Sequence, residues 1–254
     1  MMRGMPEQVC RVCGGSGWVI IERDGLSAAE RCECALRDRT RKLLENAAIP
    51  PLYRDALFDT FNDLGDPRLK EVKFQVMKYA EDFPFALHKP GLLLVGEPGT
   101  GKTHLAVAAL RVLIQKGHEG VFCDYQNLLD RIRASYDQAS GASDREAYRS
   151  AMECEVLLLD DLGAHRVTEW VEDVVTSIVT YRCNNKKALI ATTNLPDPDA
   201  GDRLVERSTA LAGRVDYRLS LADRIGPRAR SRLFEMCYVI RMPAVGDYRL
   251  RTRR

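Results

Sequence analysis

The sequence has no run of 18 consecutive apolar residues, and its opening Met1 to Pro6 has no apolar stretch behind a basic start. The first absence speaks against a membrane-spanning helix and the second against a secretory leader, so a cytoplasmic chain with no membrane partner is expected. Net charge is also scarce. With 38 basic and 36 acidic residues the balance is +2, which singles out no polyanionic partner. Internal repeats and low-complexity tracts are missing, so neither a solenoid nor a compositional linker is expected. What is there is ordinary for a folded globular protein: 45% hydrophobic and 29% charged residues over 254 positions, enough for one large domain or a medium domain with an appendage. Cys123, Cys154, Cys183 and Cys237 stand singly in apolar or helical segments and read as buried thiols.

Residues 1 to 34 are rich in cysteine and glycine, with the β-like run Trp18 to Ile21 between two cysteine pairs. A helix is predicted over 35–48, stopped by Pro50 and Pro51, then an extended linker and a second helix over 66–83. From Gly91 apolar runs alternate with helical patterns. Strands are predicted at GLLLVG (91–96), VFCDY (121–125), EVLLLDD (155–161), ALIATTN (188–194) and CYVIRM (237–242). That alternation predicts an α/β fold, a parallel five-stranded sheet with helices on both faces. Val171, Val174, Val175, Ile178 and Val179 recur at helical spacing and read as core.

Gly96, Glu97, Pro98, Gly99, Thr100, Gly101, Lys102 and Thr103 match G-x-x-x-x-G-K-[ST] between a predicted strand and a predicted helix. The glycines let backbone amides turn toward a phosphate, and the helix start adds its positive dipole end. Lys102 would reach the β and γ oxygens of ATP, and Thr103 would ligate magnesium. Downstream, Val156 to Leu159 run into two carboxylates. Asp160 would organise magnesium and Asp161 orient or deprotonate the attacking water, unless the pair is merely a solvated strand end. Asn194, closing the next strand, suits the same water, or else caps the turn before Pro196. From Arg224 to Arg254 nine arginines accompany two acids, a locally basic stretch suited to phosphates.

Together these residues resemble the AAA+ ATPases of the phosphate-loop class that inserts an extra strand between the two motif strands. GEPGTGKTHLA (96–106), with His104 after Lys102 and Thr103, is similar to the DnaA, DnaC and IstB branch. NLLDRIRASYD (127–137) ahead of ECEVLLLDDLG (153–163) resembles helicase loaders of the DnaC type and their IstB relatives. The block from Asp223 to Leu233 resembles the loader segment carrying the arginine finger. This likeness implies Arg232 as finger with Arg228 as companion, self-association through finger interfaces, ATP/ADP and Mg2+ as ligands, and no carboxy-terminal lid domain. Surface ion pairing remains the alternative for Arg232. Many AAA+ proteins have glutamate where this chain has Asp161, one methylene shorter, which bears on the hydrolysis rate and not on nucleotide binding.

Cys10 and Cys13 form C-x-x-C before Gly14, Gly15 and Gly17, and Cys32 and Cys34 form C-x-C farther on. Four thiolates suit tetrahedral Zn2+, with a redox pair or free thiols as the alternatives. The expected organisation is therefore a zinc-binding module and helix over 1–50 and an AAA+ ATPase domain over 51–254. By resemblance, the expected function is ATP-dependent loading of a hexameric replicative helicase in DNA replication. The amino-terminal domain would grip the helicase and the ATPase domain single-stranded DNA, through Arg131 and Arg133 if these are more than solvated surface. The alternatives are an IstB-like ATPase regulating transposition and a nucleotide-sensing adaptor with little hydrolysis.

Overall fold

The computed structural model describes residues 9–23, 25–85, 88–134, 142–165, 168–197 and 219–251. It begins with a hairpin, β1 (Trp18–Arg23) antiparallel to β2 (Leu26–Arg31), with Trp18 opposite Arg31. Helix α1 (Glu33–Asn46) follows and ends ahead of Pro50 and Pro51, where a 3-10 turn spans Pro51–Tyr53. The next stretch is not the extended linker that its composition predicts. It folds down as turns because Ala56, Phe58 and Phe61 are buried in the core, and burying two phenyl rings outweighs the entropy of a solvated linker. Helix α2 (Pro67–Asp82) is capped by Asp66, whose carboxylate accepts the Arg68 N–H at 2.8 Å.

The α/β alternation then runs β3 (Gly91–Val95), α3 (Lys102–Gln115), β4 (Gly120–Asp124), α4 (Tyr125–Ala134), α5 (Ala142–Glu153), β5 (Val156–Asp160), α6 (Glu169–Asn184) and β6 (Ala188–Thr193). It closes with α7 (Leu221–Ile225), α8 (Pro227–Met236), β7 (Cys237–Arg241) and α9 (Tyr248–Arg251). Strands β4, β5, β6, β3 and β7 lie side by side in that order as one five-stranded parallel sheet. Strand β6 thus separates β3 from β5 and sets Val95 beside Thr193 and Leu159 beside Ala191. Leu92, Leu94, Leu158 and Ile190 face a core shared with α2 and α3, whereas Leu93, Leu157, Leu159 and Leu189 face one shared with α4, α6 and α8. Helices therefore cover both faces, as continuous apolar strands require.

Helix α1 packs on α3 and β4, and the Phe122 N–H donates to Ala47 O at 2.8 Å. Thr168 caps α6 by accepting the Val171 N–H at 3.3 Å. Arg182 on α6 is fully buried and donates to Ala151 O at 2.8 Å, Glu155 O at 3.1 Å and Ala188 O, tying the end of α5 to the starts of β5 and β6. Cys154 and Cys237 are buried as expected, but Cys123 and Cys183 are only partly so. Among the described residues only α9 follows β7, with no helical lid, and no helix is long and apolar enough to cross a membrane.

Candidate functional site

The loop from Gly96 to Gly101 joins β3 to α3, so the first helical turn points its amides at the ends of the central strands. The loop is held from several sides. The Gly96 N–H donates to Thr193 O at 3.2 Å, the Thr100 hydroxyl donates to Glu97 O at 2.8 Å, and the Lys102 ammonium donates to Gly96 O at 2.9 Å and Glu97 O at 2.8 Å. Glycine is required at two loop positions by φ and by space. Gly99, at φ 73°, would drive a Cβ into the Asp247 carboxylate, and Gly101, at φ 94°, would put one 2.6 Å from the Phe61 ring. Burial pushes the Lys102 ammonium down to about 8, against the upward pull of Asp161 and Asp160.

Asp160 ends β5 almost fully buried, which raises its carboxyl above the usual range, while the Thr192 and Thr103 hydroxyls pull it back. Thr192 on β6 does two jobs: its hydroxyl donates to Asp160 Oδ1 at 2.6 Å and accepts the Asp161 N–H at 3.0 Å. Asp161 is one of few non-glycine residues in the left-handed region, at φ 55°. That strained step turns its side chain out of the strand register, where Asn194 Nδ2 donates to Asp161 Oδ1 at 3.0 Å. Two separate motif ends thus converge on one point.

A cleft of about 420 Å³ opens over these groups, lined by Pro98 through His104 together with Asp161 and Asn194. Its far wall is aromatic and aliphatic, with Tyr53, Phe61 and Leu64. His104 lines the cleft and also braces that wall: its Nε2 bonds Leu57 O at 2.8 Å and its ring meets Phe61 edge-on at 5.6 Å. Because a carbonyl only accepts, Nε2 is the donor in that bond. A larger open depression of about 740 Å³ between α1 and α3 is lined by Arg37, Arg41, Arg54 and Arg111, and it holds none of the motif residues.

Sequence reasoning missed three contributors. Thr192 is one. Arg249 and Tyr248 are the others: both line the cleft, the Tyr248 N–H donates to Gly99 O at 3.0 Å, and the Arg249 charge bears on Lys102. No spacing flags them, since their neighbourhood exists only once β7 lies beside β3; the one signal was the arginine density of the tail. Arg228 and Arg232 lie exposed on α8, outside the cleft of their own chain, and Arg232 pairs with Glu235 at 2.6 Å. Arg131 and Arg133 project from α4, Arg133 lying 4.7 Å over the Trp170 ring, whereas Ser135 to Asp137 of the same segment fall outside the described residues.

The four amino-terminal cysteines do come together. Their sulfurs all lie within 4.8 Å of one another, with Cys10 to Cys32 at 3.8 Å and Cys13 to Cys34 at 3.4 Å. Tetrahedral zinc with bonds of about 2.3 Å sets sulfurs roughly 3.8 Å apart, so the donor set fits. The Gly17 N–H donates to Cys13 Sγ at 3.3 Å and lowers that thiol to about 6, while backbone amides at Cys13 and Val12 lower Cys10. Amides aimed at sulfur favour thiolate, the form that binds metal.

Residues 33–212 match the model of the IstB-like ATP binding protein family, most of the chain. The chain belongs to that family. It is 29% identical to the uncharacterized protein YqaM of Bacillus subtilis, over 78% of this chain and 67% of YqaM. It is also 23% identical to the replicative helicase loader DnaC of Buchnera aphidicola from Acyrthosiphon pisum, over 66% and 69% of the two chains. The crystal structure of a DnaC helicase loader superposes with a TM-score of 0.60 at 29% identity, covering 76% of this chain and all (100%) of that one. The AAA+ and DnaC/IstB resemblance of the motifs is thus what the comparisons find, and membership in a family named for ATP binding makes the cleft over the phosphate loop the candidate nucleotide site.

Proposed function

We propose that this chain is an ATP-hydrolysing helicase loader of the DnaC type. The observation that carries the reading is the contact between Asp161 and Asn194 at 3.0 Å, in the same cleft as the phosphate loop and Lys102. In this reading the loop amides and Lys102 hold the β and γ phosphates, and Arg249 adds a second cation from the same chain. Thr103 and Asp160 would hold magnesium, whose charge offsets that developing on the phosphate oxygens. Asp161 takes or orients the proton of the attacking water, and Asn194 keeps the carboxylate turned toward it. As water attacks the γ phosphorus, the bond to the bridging oxygen breaks and ADP leaves. Arg232, with Arg228 beside it, serves the ATP of a neighbouring subunit. Exposure on α8 outside its own cleft supports that role better than a role in its own site.

Cys10, Cys13, Cys32 and Cys34 would hold a structural zinc, and the hairpin they staple would meet the hexameric helicase. Arg131 and Arg133 on α4 would meet single-stranded DNA. The IstB-like family name supports a second reading, a transposition ATPase. Steady-state ATP turnover of the wild type against Lys102→Ala and Asp161→Asn tests the enzyme. Co-purification with a hexameric helicase supports the loader, and capture of a transposase instead overturns it.

A further inference from the structure

The Asp197 carboxylate is almost entirely buried, its side chain 2% exposed, and it is gripped by Arg230 through two bonds, Nε to Oδ2 at 2.6 Å and the second guanidinium nitrogen to Oδ1 at 2.8 Å. Neither residue belongs to the cleft, and the reaction outlined above uses neither. Their position in the chain explains what the pair can do. Asp197 lies three residues beyond Asn194, whose amide touches Asp161. In between, Pro196 O accepts the Leu221 N–H at 2.9 Å, anchoring the start of α7. Both carboxy-terminal helices that precede β7 are therefore hung on the short segment leaving the polar end of β6.

Arg230 sits between Arg228 and Arg232 on α8. Its buried stripe is Ala229, Leu233 and Met236. At about 100° per residue, Arg230 projects from one flank of that stripe while Arg228 and Arg232 project from the other. An apolar stripe alone resists separation of a helix from its support but resists rolling much less. A two-pronged guanidinium bond resists rolling, because it is planar and holds only in one orientation, and Arg230 is further fixed by lying 4.9 Å over the Phe234 ring. Buried ion pairs contribute little net stability against well-packed apolar groups, and in some proteins their role is to specify one arrangement.

We propose that the Asp197 and Arg230 pair sets the roll of α8 and so aims Arg228 and Arg232 at the neighbouring subunit, which makes Arg230 a positioning residue. This rests on the reading of Arg232 as a group acting in trans. The pair registers the arginine helix to the strand that carries Asn194, so each subunit presents its arginine from a frame fixed by its own nucleotide site.

The test uses mixed assemblies of full-length chains. Arg232→Ala chains keep an intact site but no arginine, and Lys102→Ala chains keep the arginine but no site; mixing them restores turnover. Adding Arg230→Lys to the Lys102→Ala chain should cut the restored turnover by about tenfold to a hundredfold, the scale of a small misplacement. Adding it to the Arg232→Ala chain should leave turnover within about twofold. Lysine keeps the charge beside Asp197 and loses the fork, and Asp197→Asn carries the same test if Arg230→Lys does not fold. Equal effects in the two placements, or none in either, overturn the inference while leaving the trans reading intact. No recovery in the starting mixture overturns the trans reading and this inference with it.

Discussion

Lys102 and Asp161 share the cleft but not the task. Lys102 is bonded to loop carbonyls and almost fully buried, and in the proposed function it belongs to the phosphate cradle. Lys102→Ala should abolish tight ATP binding measured with a fluorescent nucleotide. Asp161→Asn should bind as the wild type does and lose turnover, by about a hundredfold or more for removal of a positioned base; normal turnover would take Asp161 out of catalysis. A different residue carries stability. Arg182→Leu takes the guanidinium from the buried Ala151 and Ala188 carbonyls, and from Glu155 O, which keeps the Ala188 N–H, and should cost about 3 kcal/mol, a fall of roughly 5 to 10 °C in melting temperature. A melting temperature within about 2 °C of wild type would show those carbonyls finding other partners. The motif residues were readable in the sequence because each belongs to a short local pattern. Thr192 and Arg249 were not, because what makes them matter is a neighbour across the sheet: Asp160 for one, Gly99 through Tyr248 for the other.

Elements differ in how plainly the sequence announces them. The central strands β5, β6 and β3 are readable because strands buried on both faces are continuous apolar runs, and they have no exposed residue at all, while the edge strands β4 and β7 are only partly buried. Strand β2 is the opposite case, LSAAER with every residue exposed, and nothing in its pattern distinguishes it from a loop. The turns around Phe58 and Phe61 were hidden for a third reason, since two isolated aromatics show no period. The exposure of β2 carries a consequence for the cysteine module. A two-stranded hairpin with so little core is marginal by itself, so its order should depend on metal. One zinc per chain is expected by elemental analysis, and Cys10→Ser with Cys13→Ser should lose both the zinc and the protease resistance of residues 9 to 34. Freshly purified protein without zinc would contradict this. On α4, buried Leu128, Leu129 and Ile132 fix which face turns outward, and Arg131 and Arg133 lie on it. Replacing both with alanine should weaken single-stranded DNA binding and reduce its salt slope by about 0.7 per arginine; an unchanged slope would leave them as solvated surface.

At the scale of the whole molecule, sheet order converts separate motifs into one site. With β6 between β3 and β5, Asn194, Asp161 and the phosphate loop converge from three strand ends, and Arg228 and Arg232 of α8 stand outside the cleft they form. In the proposed reading one chain would supply the phosphate cradle, with Lys102 and Arg249, and the water-orienting pair, while Arg232 would act on the γ phosphate held by a second copy. The direct measurement is ATP turnover of Arg232→Ala chains mixed with Lys102→Ala chains, each alone expected to be inactive. Arginine groups of this kind contribute about 10³ to 10⁵ in rate, so even a minority of interfaces pairing an intact site with an intact arginine should give turnover well above either parent. Recovery in the mixture is the predicted result; an Arg232→Ala protein as active alone as the wild type would contradict it.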